Sequence, residues 1–380
     1  MILDYETLKL VWWALIGIIL IAFALTDGFD MGVGTLLPLI GSTDEERRIM
    51  LNTVGPHWEG NQTWLVTAGG ALFAAWPLVY AMAFSGFYFA MMLTLFALFF
   101  RPVGFDYRSK LTNPTWRTSW DWGIFIGSAV PPIIFGVAFG NLLLGVPFHF
   151  DEFMRPYYTG TFLQLLNPFS LLVGVISLTM VVMHGATWLQ MRTLDGLEAK
   201  ARSTAKLTSL LLFVLFGAAG LWLANSIDGF VIEMMPDPNS AFTPDQKQVS
   251  QQAGAWLTNY SLYPWMITAP VLGFLGAVIV YLSSHKDRAV LAFIGSSLAI
   301  IGIILTAGFS MFPFVMPSST DINSSLTLWD AASSELTLKI MFWVAVIFIP
   351  LITAYSLWTY SKMWRRLDTH FIRNNEHTTY

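Results

Sequence analysis

The 380-residue chain contains no cysteine. Disulfides, thiolate metal ligands and cysteine redox chemistry are therefore excluded. Charge is the second scarcity. Only 12% of residues are Asp, Glu, Lys or Arg, about half the share of roughly 25% usual in soluble domains. A formal charge of −4 without a basic run gives nucleic acid no footing as a partner. The phosphate-cradling GxxxxGK[ST], the zinc-binding HExxH and the dinucleotide GxGxxG are all missing, so a nucleotide-driven pump or a zinc hydrolase has no support. The acidic N-terminus, MILDYETLKL, leads into an apolar run with no small-residue cleavage site, and that run is read as a retained first span.

What fills the space is apolar. Hydrophobic residues make up 55% of the chain, aromatics 15%, and the mean hydropathy is +0.59. Crossing a bilayer core takes about 20 apolar residues of helix. Eight apolar segments meet that need, at about 10–40, 63–100, 122–148, 163–191, 207–232, 260–284, 289–317 and 336–361. The expected fold is all-α: a polytopic membrane protein of eight transmembrane helices. The echo of TDGF (Thr26–Phe29) in SIDGF (Ser226–Phe230), four segments later, suggests two four-helix bundles related by a pseudo-repeat, 1–206 and 207–380, the second carrying the C-terminal tail. The alternative is chance recurrence of Asp-Gly at span ends.

Basic residues divide the loops. Counting alternate loops sets Lys9, Arg101, Arg108, Lys110, Arg117, Arg192, Lys200, Arg202, Lys206, Lys286, Arg288, Lys362, Arg365, Arg366 and Arg373 against Arg47, Arg48, Arg155 and Lys247. By the positive-inside rule the first set is cytoplasmic. With an even number of spans, both termini are expected there; a half-inserted segment around 41–62 would displace the first loop of the other set.

The stretch His57–Phe100 holds the densest polar cluster beside a span. Its head, HWEGNQTW, packs His57, Trp58, Glu59, Asn61, Gln62 and Trp64 together, and no charge follows Glu59 until Arg101. Pro77 near its middle predicts a kink or an interruption of the helical ladder in a helix read as continuing into a full span. A carboxylate desolvated by Trp58 and Trp64 suits proton relay, while Glu59 as an N-terminal helix cap is the plainer reading. His57 at i, i+2 from Glu59 is poorly spaced for a metal. Asp27 and Asp30, three apart, share roughly one helix face at membrane depth, where ionisable groups are costly and usually functional. The plainer alternatives are a hydrogen bond to a neighbouring helix for Asp27 and a headgroup position for Asp30. Asp106 and Lys110, four apart on the basic side, could pair or line a water path. His184 lies well inside a span, where a haem ligand could sit, but without a second intramembrane histidine it reads as a hydrogen-bonded structural residue. Glu335 and Lys339 look like an interfacial ion pair.

Several longer runs carry a family resemblance: WWALIGIILIAFALTDGFDMGVG, PHWEGNQTWL, TAGGALFAAWP, FFRPVGFDYR, WDWGIFIGS, FGNLLLGVPF, FPFVMPSS and SLTLWDA. Matching in order from Met1 to the tail, they resemble subunit II of the cytochrome bd-type ubiquinol oxidases. The resemblance implies a bacterial inner-membrane complex that oxidises quinol and reduces dioxygen to water with protons drawn from the cytoplasm. It implies a haem-bearing subunit I as partner, which ligates haem b and haem d, so that no metal ligand is expected here. Small single-span accessory subunits, membrane lipid and a structurally bound ubiquinone belong to the same implication. Residue by residue, it maps an acidic relay position onto Glu59, where close relatives often carry aspartate. It maps a cytoplasmic mouth onto Asp106 and Lys110, and an interface carboxylate onto Asp27. His57, Trp58, Asn61, Gln62, Trp64, Asp30 and Arg101 would support that path. The competing class is a proton-coupled secondary transporter, which also uses intramembrane Asp, Pro-broken helices and repeats.

Overall fold

The computed structural model describes residues 3–362, 364–368 and 372. Arg373 and the last residues of the tail lie outside them. Thirteen α-helices and three two-stranded hairpins make up the described chain. Helix α1 (Tyr5–Ile40) starts where the Asp4 carboxylate accepts from the Thr7 amide, and is followed by the short α2 (Asp44–Val54). Then come α3 (Trp58–Ala75), α4 (Pro77–Gly86), α5 (Tyr88–Leu98) and α6 (Phe100–Tyr107). The long helices α7 (Pro114–Leu144), α8 (Pro168–Arg192) and α9 (Asp195–Ser226) follow, then α10 (Thr258–Leu262), α11 (Thr268–His285), α12 (Ala289–Met311) and α13 (Glu335–Lys362). Eight helical stretches are long and apolar enough to cross a membrane, as expected.

The hairpins gather at one end of the bundle. They are β1–β2 (Phe148–Phe150, Pro156–Tyr158), β3–β4 (Asp228–Met234, Gln248–Ala253) and β5–β6 (Phe314–Met316, Leu326–Thr327), each antiparallel. Val146 bridges to Ser318, and the buried Lys247 Nζ meets Asp330 at 3.0 Å. The N-terminus is tied to this end, since the Tyr5 amide donates to Asn239 Oδ1 and its hydroxyl to Ser333 O. At the opposite end Asp44 meets Arg108 (2.9 Å), Lys200 meets Glu46 (2.8 Å), and Arg202 pairs with Asp287. The C-terminal segment joins this second end through Leu367 N to Arg192 O (2.8 Å). Tyr5 and Leu367, near the two ends of the described chain, therefore lie at opposite ends of the bundle, whereas an even number of spans would bring them to one end.

The reason lies in 57–107. Of the two expected effects of Pro77, the structure shows the interruption. At Trp76 the backbone leaves the helical region (φ −131°, ψ 70°), and Pro77 opens a new helix as its first residue. Asn61 sits beside Asp30, Ala75 O reaches Ser333 N at the hairpin end, and Arg101 returns to Asp27. The stretch thus runs up and back, a helical hairpin in place of a single span. A second irregularity at Phe87 is bridged by Phe87 N to Ala83 O and Met91 N to Phe87 O, so α4 and α5 continue in one direction. The extra pass moves Arg47 and Arg48 to the end that carries Arg108, Arg117, Lys200, Arg202 and Arg366. Among described residues only Lys9, Arg155, Lys247 and Lys339 belong to the hairpin end.

Small residues let helices approach where no hydrophobic force between them is available in lipid. A methyl on Gly32 of α1 would lie 2.8 Å from Gly185 Cα of α8, so this crossing is backbone against backbone. The two DGF triplets sit in unlike structure, one inside α1 and the other opening β3. The expected division between 206 and 207 falls within α9.

Candidate functional site

Two acidic residues of α1 anchor a buried polar cluster. Asp27 and Asp30 are both fully buried. Asp27 accepts two hydrogen bonds from Arg101 of α6, at 2.9 Å from Nη1 and 2.5 Å from Nη2. Neither side chain has exposed surface. The bidentate fork supplies both attraction and geometry, which an ion pair in the interior needs to offset its desolvation. Trp58 covers the guanidinium at 5.7 Å and stacks on Phe105 at 5.2 Å, closing the pair from outside.

Asp30 turns toward α3. Asn61 Nδ2 donates to Asp30 Oδ2 at 2.8 Å, and the Tyr360 hydroxyl of α13 donates to Asn61 Oδ1 at 2.5 Å. Asp30 Oδ1 has no hydrogen-bond partner among the described residues, and neither does His57 Nε2. The His57 ring lies against Tyr360 with centroids 4.3 Å apart. Four helices distant in sequence thus converge on one polar node inside an apolar bundle.

The other expected residues fall elsewhere. Glu59 is exposed, on the opposite side of α3 from Trp58 and Trp64, which turn inward. The expected desolvation of its carboxylate by those tryptophans does not occur within this chain. Trp64 packs with Ile19, Phe23 and Leu98, while Gln62 is half-buried. Asp106 and Lys110 are exposed and form no ion pair with each other. The stacking of Trp58 on Phe105 sets Glu59 and Asp106, the next residues in each case, on adjoining helices. Glu335 and Lys339 do pair.

His184 fits its structural reading. Its Nε2 lies 3.0 Å from Leu25 O and its Nδ1 2.7 Å from Ser296 Oγ. Both nitrogens are engaged, so the ring does not fit an axial-ligand role. His149 stacks on Tyr157 in the β1–β2 hairpin, far in structure from the cluster. Among the described residues no group of three or more His, Asp or Glu could hold a metal ion. The residues present do not fit a haem.

Tyr360 escaped sequence reasoning. It lies near the end of the last span in LWTYSK, and nothing local marks it, because its partner Asn61 is 299 residues away. Asp121 escaped too. It is fully buried at the basic end and accepts from Arg108 Nε (2.5 Å) and Arg47 Nη1 (2.7 Å), with Asp44 extending the network to Arg117. An aspartate immediately before the apolar segment 122–148 was the available signal.

Comparison with known proteins follows this geometry. The family described as cytochrome bd terminal oxidase subunit II matches residues 8–363. The chain is 56% identical over 378 residues to cytochrome bd-I ubiquinol oxidase subunit 2 of Escherichia coli, covering 100% of both chains. It is 30% identical over 358 residues to cytochrome bd ubiquinol oxidase subunit 2 of Bacillus subtilis, covering 94% of this chain and 96% of that one. The fold also matches a chain in the structure of bd oxidase from Geobacillus thermodenitrificans. There the TM-score is 0.68 at 15% identity, over 93% of this chain and 98% of that one.

Proposed function

The chain belongs to the cytochrome bd terminal oxidase subunit II family, and from that premise we propose that it serves a quinol-oxidising, dioxygen-reducing complex by bringing protons to a haem-bearing subunit I. In this reading haem b and haem d are held by that partner. The complex lies in a bacterial inner membrane with the basic end of the bundle facing the cytoplasm. The positive-inside rule supports that orientation, and places the N-terminus outside.

The observation that carries the reading is the placement of Glu59. It stands at the depth of the Asp27–Asp30 cluster yet points outward, and makes no ion pair among the described residues. A carboxylate turned to lipid at membrane depth costs several kcal/mol. A protein surface covering it removes that cost and gives it a purpose. The adjoining outward faces are apolar and exposed, including Val66, Phe89 and Phe96, and most of α13 from Leu336 to Trp358. We assign this face to subunit I. Asp106 and Lys110, exposed nearer the basic end on α6 and the turn after it, are the mouth, and Glu59 is the relay. Proton transfer by a positioned carboxylate typically contributes 10²–10⁴-fold.

The test is Glu59→Gln in the purified complex. Quinol-driven oxygen uptake should fall by roughly 10-fold or more while the reduced-minus-oxidised haem spectrum stays as in the parent. Unchanged uptake across pH removes Glu59 from the path.

A further inference from the structure

The cluster behind Glu59 holds two carboxylates and one committed cation. Arg101 gives both of its terminal nitrogens to Asp27. Asp30 receives a single neutral donor, the Asn61 amide, and its Oδ1 faces no hydrogen-bond partner among the described residues although it is fully buried. An ionised carboxylate so poorly solvated is very costly in an apolar interior, and such a group neutralises instead. Beside it, the equally buried His57 Nε2 is also unpartnered, and the two residues are linked through Tyr360, whose ring lies on His57 and whose hydroxyl bonds Asn61.

The charged and titratable groups that act on the Asp30 cluster are Asp27 from α1, Arg101 from α6, His57 just before α3, Tyr360 from α13 and Arg192 from α8. Of the two cations, Arg101 is bound to Asp27, and Arg192 lies toward Tyr360 and His57 at the end of α8.

We propose that Asp30 is held as a neutral carboxylic acid and that Asp30, Asn61, Tyr360 and His57 form a buried proton-holding site on the inner side of the helix that carries Glu59. Its release leaves an Asp30 carboxylate beside Arg101, and its recharging takes one proton from the Glu59 side, so the site stores one proton per cycle and consumes none. The assignment rests on the proton-delivery reading above, but its test does not depend on turnover.

The experiment is infrared difference spectroscopy of the intact complex with its partner subunit, across pH and in heavy water. The wild type should show the carbonyl stretch of a protonated, buried carboxylic acid that shifts on deuteration. Asp30→Asn should abolish that band and Glu59→Gln should leave it. Asp30→Glu, which keeps the acid, and Tyr360→Phe, which removes one hydroxyl from the chain of bonds, should each move it, and these serve if the Asn variant does not assemble. A band unchanged in Asp30→Asn, or in both the Glu and Phe variants, overturns the assignment, as does its absence from the wild type. Slow uptake in Glu59→Gln together with no Asp30 band would leave the relay standing and remove the store. The reverse pair of results would remove the relay and keep the store.

Discussion

Replacing Arg101 by Met removes the cation while keeping most of the apolar stem. It leaves Asp27 fully buried with no charge to face. Breaking a buried pair by deleting one partner typically costs about 3–5 kcal/mol. The orphaned carboxylate has one escape, which is to take a proton. From the ordinary carboxylate range that costs about 4 kcal/mol at pH 7, and about 1.4 kcal/mol less for each pH unit below it. The charge-derived loss is therefore capped near the same 4 kcal/mol and shrinks in acid. The lost lid contact of Trp58 on the guanidinium, roughly 1 kcal/mol, does not depend on pH. A charge-neutral double replacement, Asp27→Leu with Arg101→Met, should recover most of the loss, since well-packed apolar pairs often match buried ion pairs. The assay is the apparent melting temperature of detergent-purified complex, followed by fluorescence-detected size exclusion. At roughly 2 °C per kcal/mol for a large chain, the single variant should melt about 6–10 °C lower at pH 7, and the gap should narrow by pH 5.5. A single variant as stable as the parent, or a double no better than the single, would refute the reasoning.

Three further outcomes are expected. His184→Gln should lower stability by about 1–3 kcal/mol through the partners it leaves at Leu25 O and Ser296, yet the haem spectrum per complex should match the parent, and a lost haem band would reassign the residue. Gly32→Ala drives a methyl into the α8 backbone at Gly185. Overpacking of this kind costs about 1–3 kcal/mol or more, and the yield of assembled complex should drop, which a pull-down through the tagged chain measures. Glu46 is pushed up by burial, but bonds from Lys200 and the Ser42 amide outweigh this and hold its carboxyl below 4.5. A depressed acid contributes stability above its unfolded value and loses it as pH falls through the folded one. Pepsin cleavage around residues 41–46 should therefore set in only as pH drops below 4.5 in the parent, and show no such onset in Glu46→Gln. A parent profile without an inflection would contradict the role of this bond.

Much of this protein is written locally. Membrane class, helix content and the pairing of Glu335 with Lys339 follow from composition, hydropathy and a spacing of four, because each depends on residues within one turn or one span of each other. So do the polar head of 57–64 and the structural histidine at 184. Family membership was legible for a similar reason, since ordered motifs need no contacts to be read. Tertiary structure decided the rest. Whether Pro77 bends a helix or begins a new one depends on what receives the carbonyl of Ala75, and here the amide of Ser333, far along the chain, does so. That single reversal put Arg47 at the same end of the bundle as Arg108 and Asp121. The partners of Asp27 and Asn61 lie 74 and 299 residues away, and no periodicity encodes such distances. Which face of α3 is inward was likewise settled by packing: Trp58 and Trp64 could bury only by turning toward Phe105, Phe23 and Leu98, and that rotation left Glu59 outside. A helix has one orientation about its own axis, and its neighbours choose it.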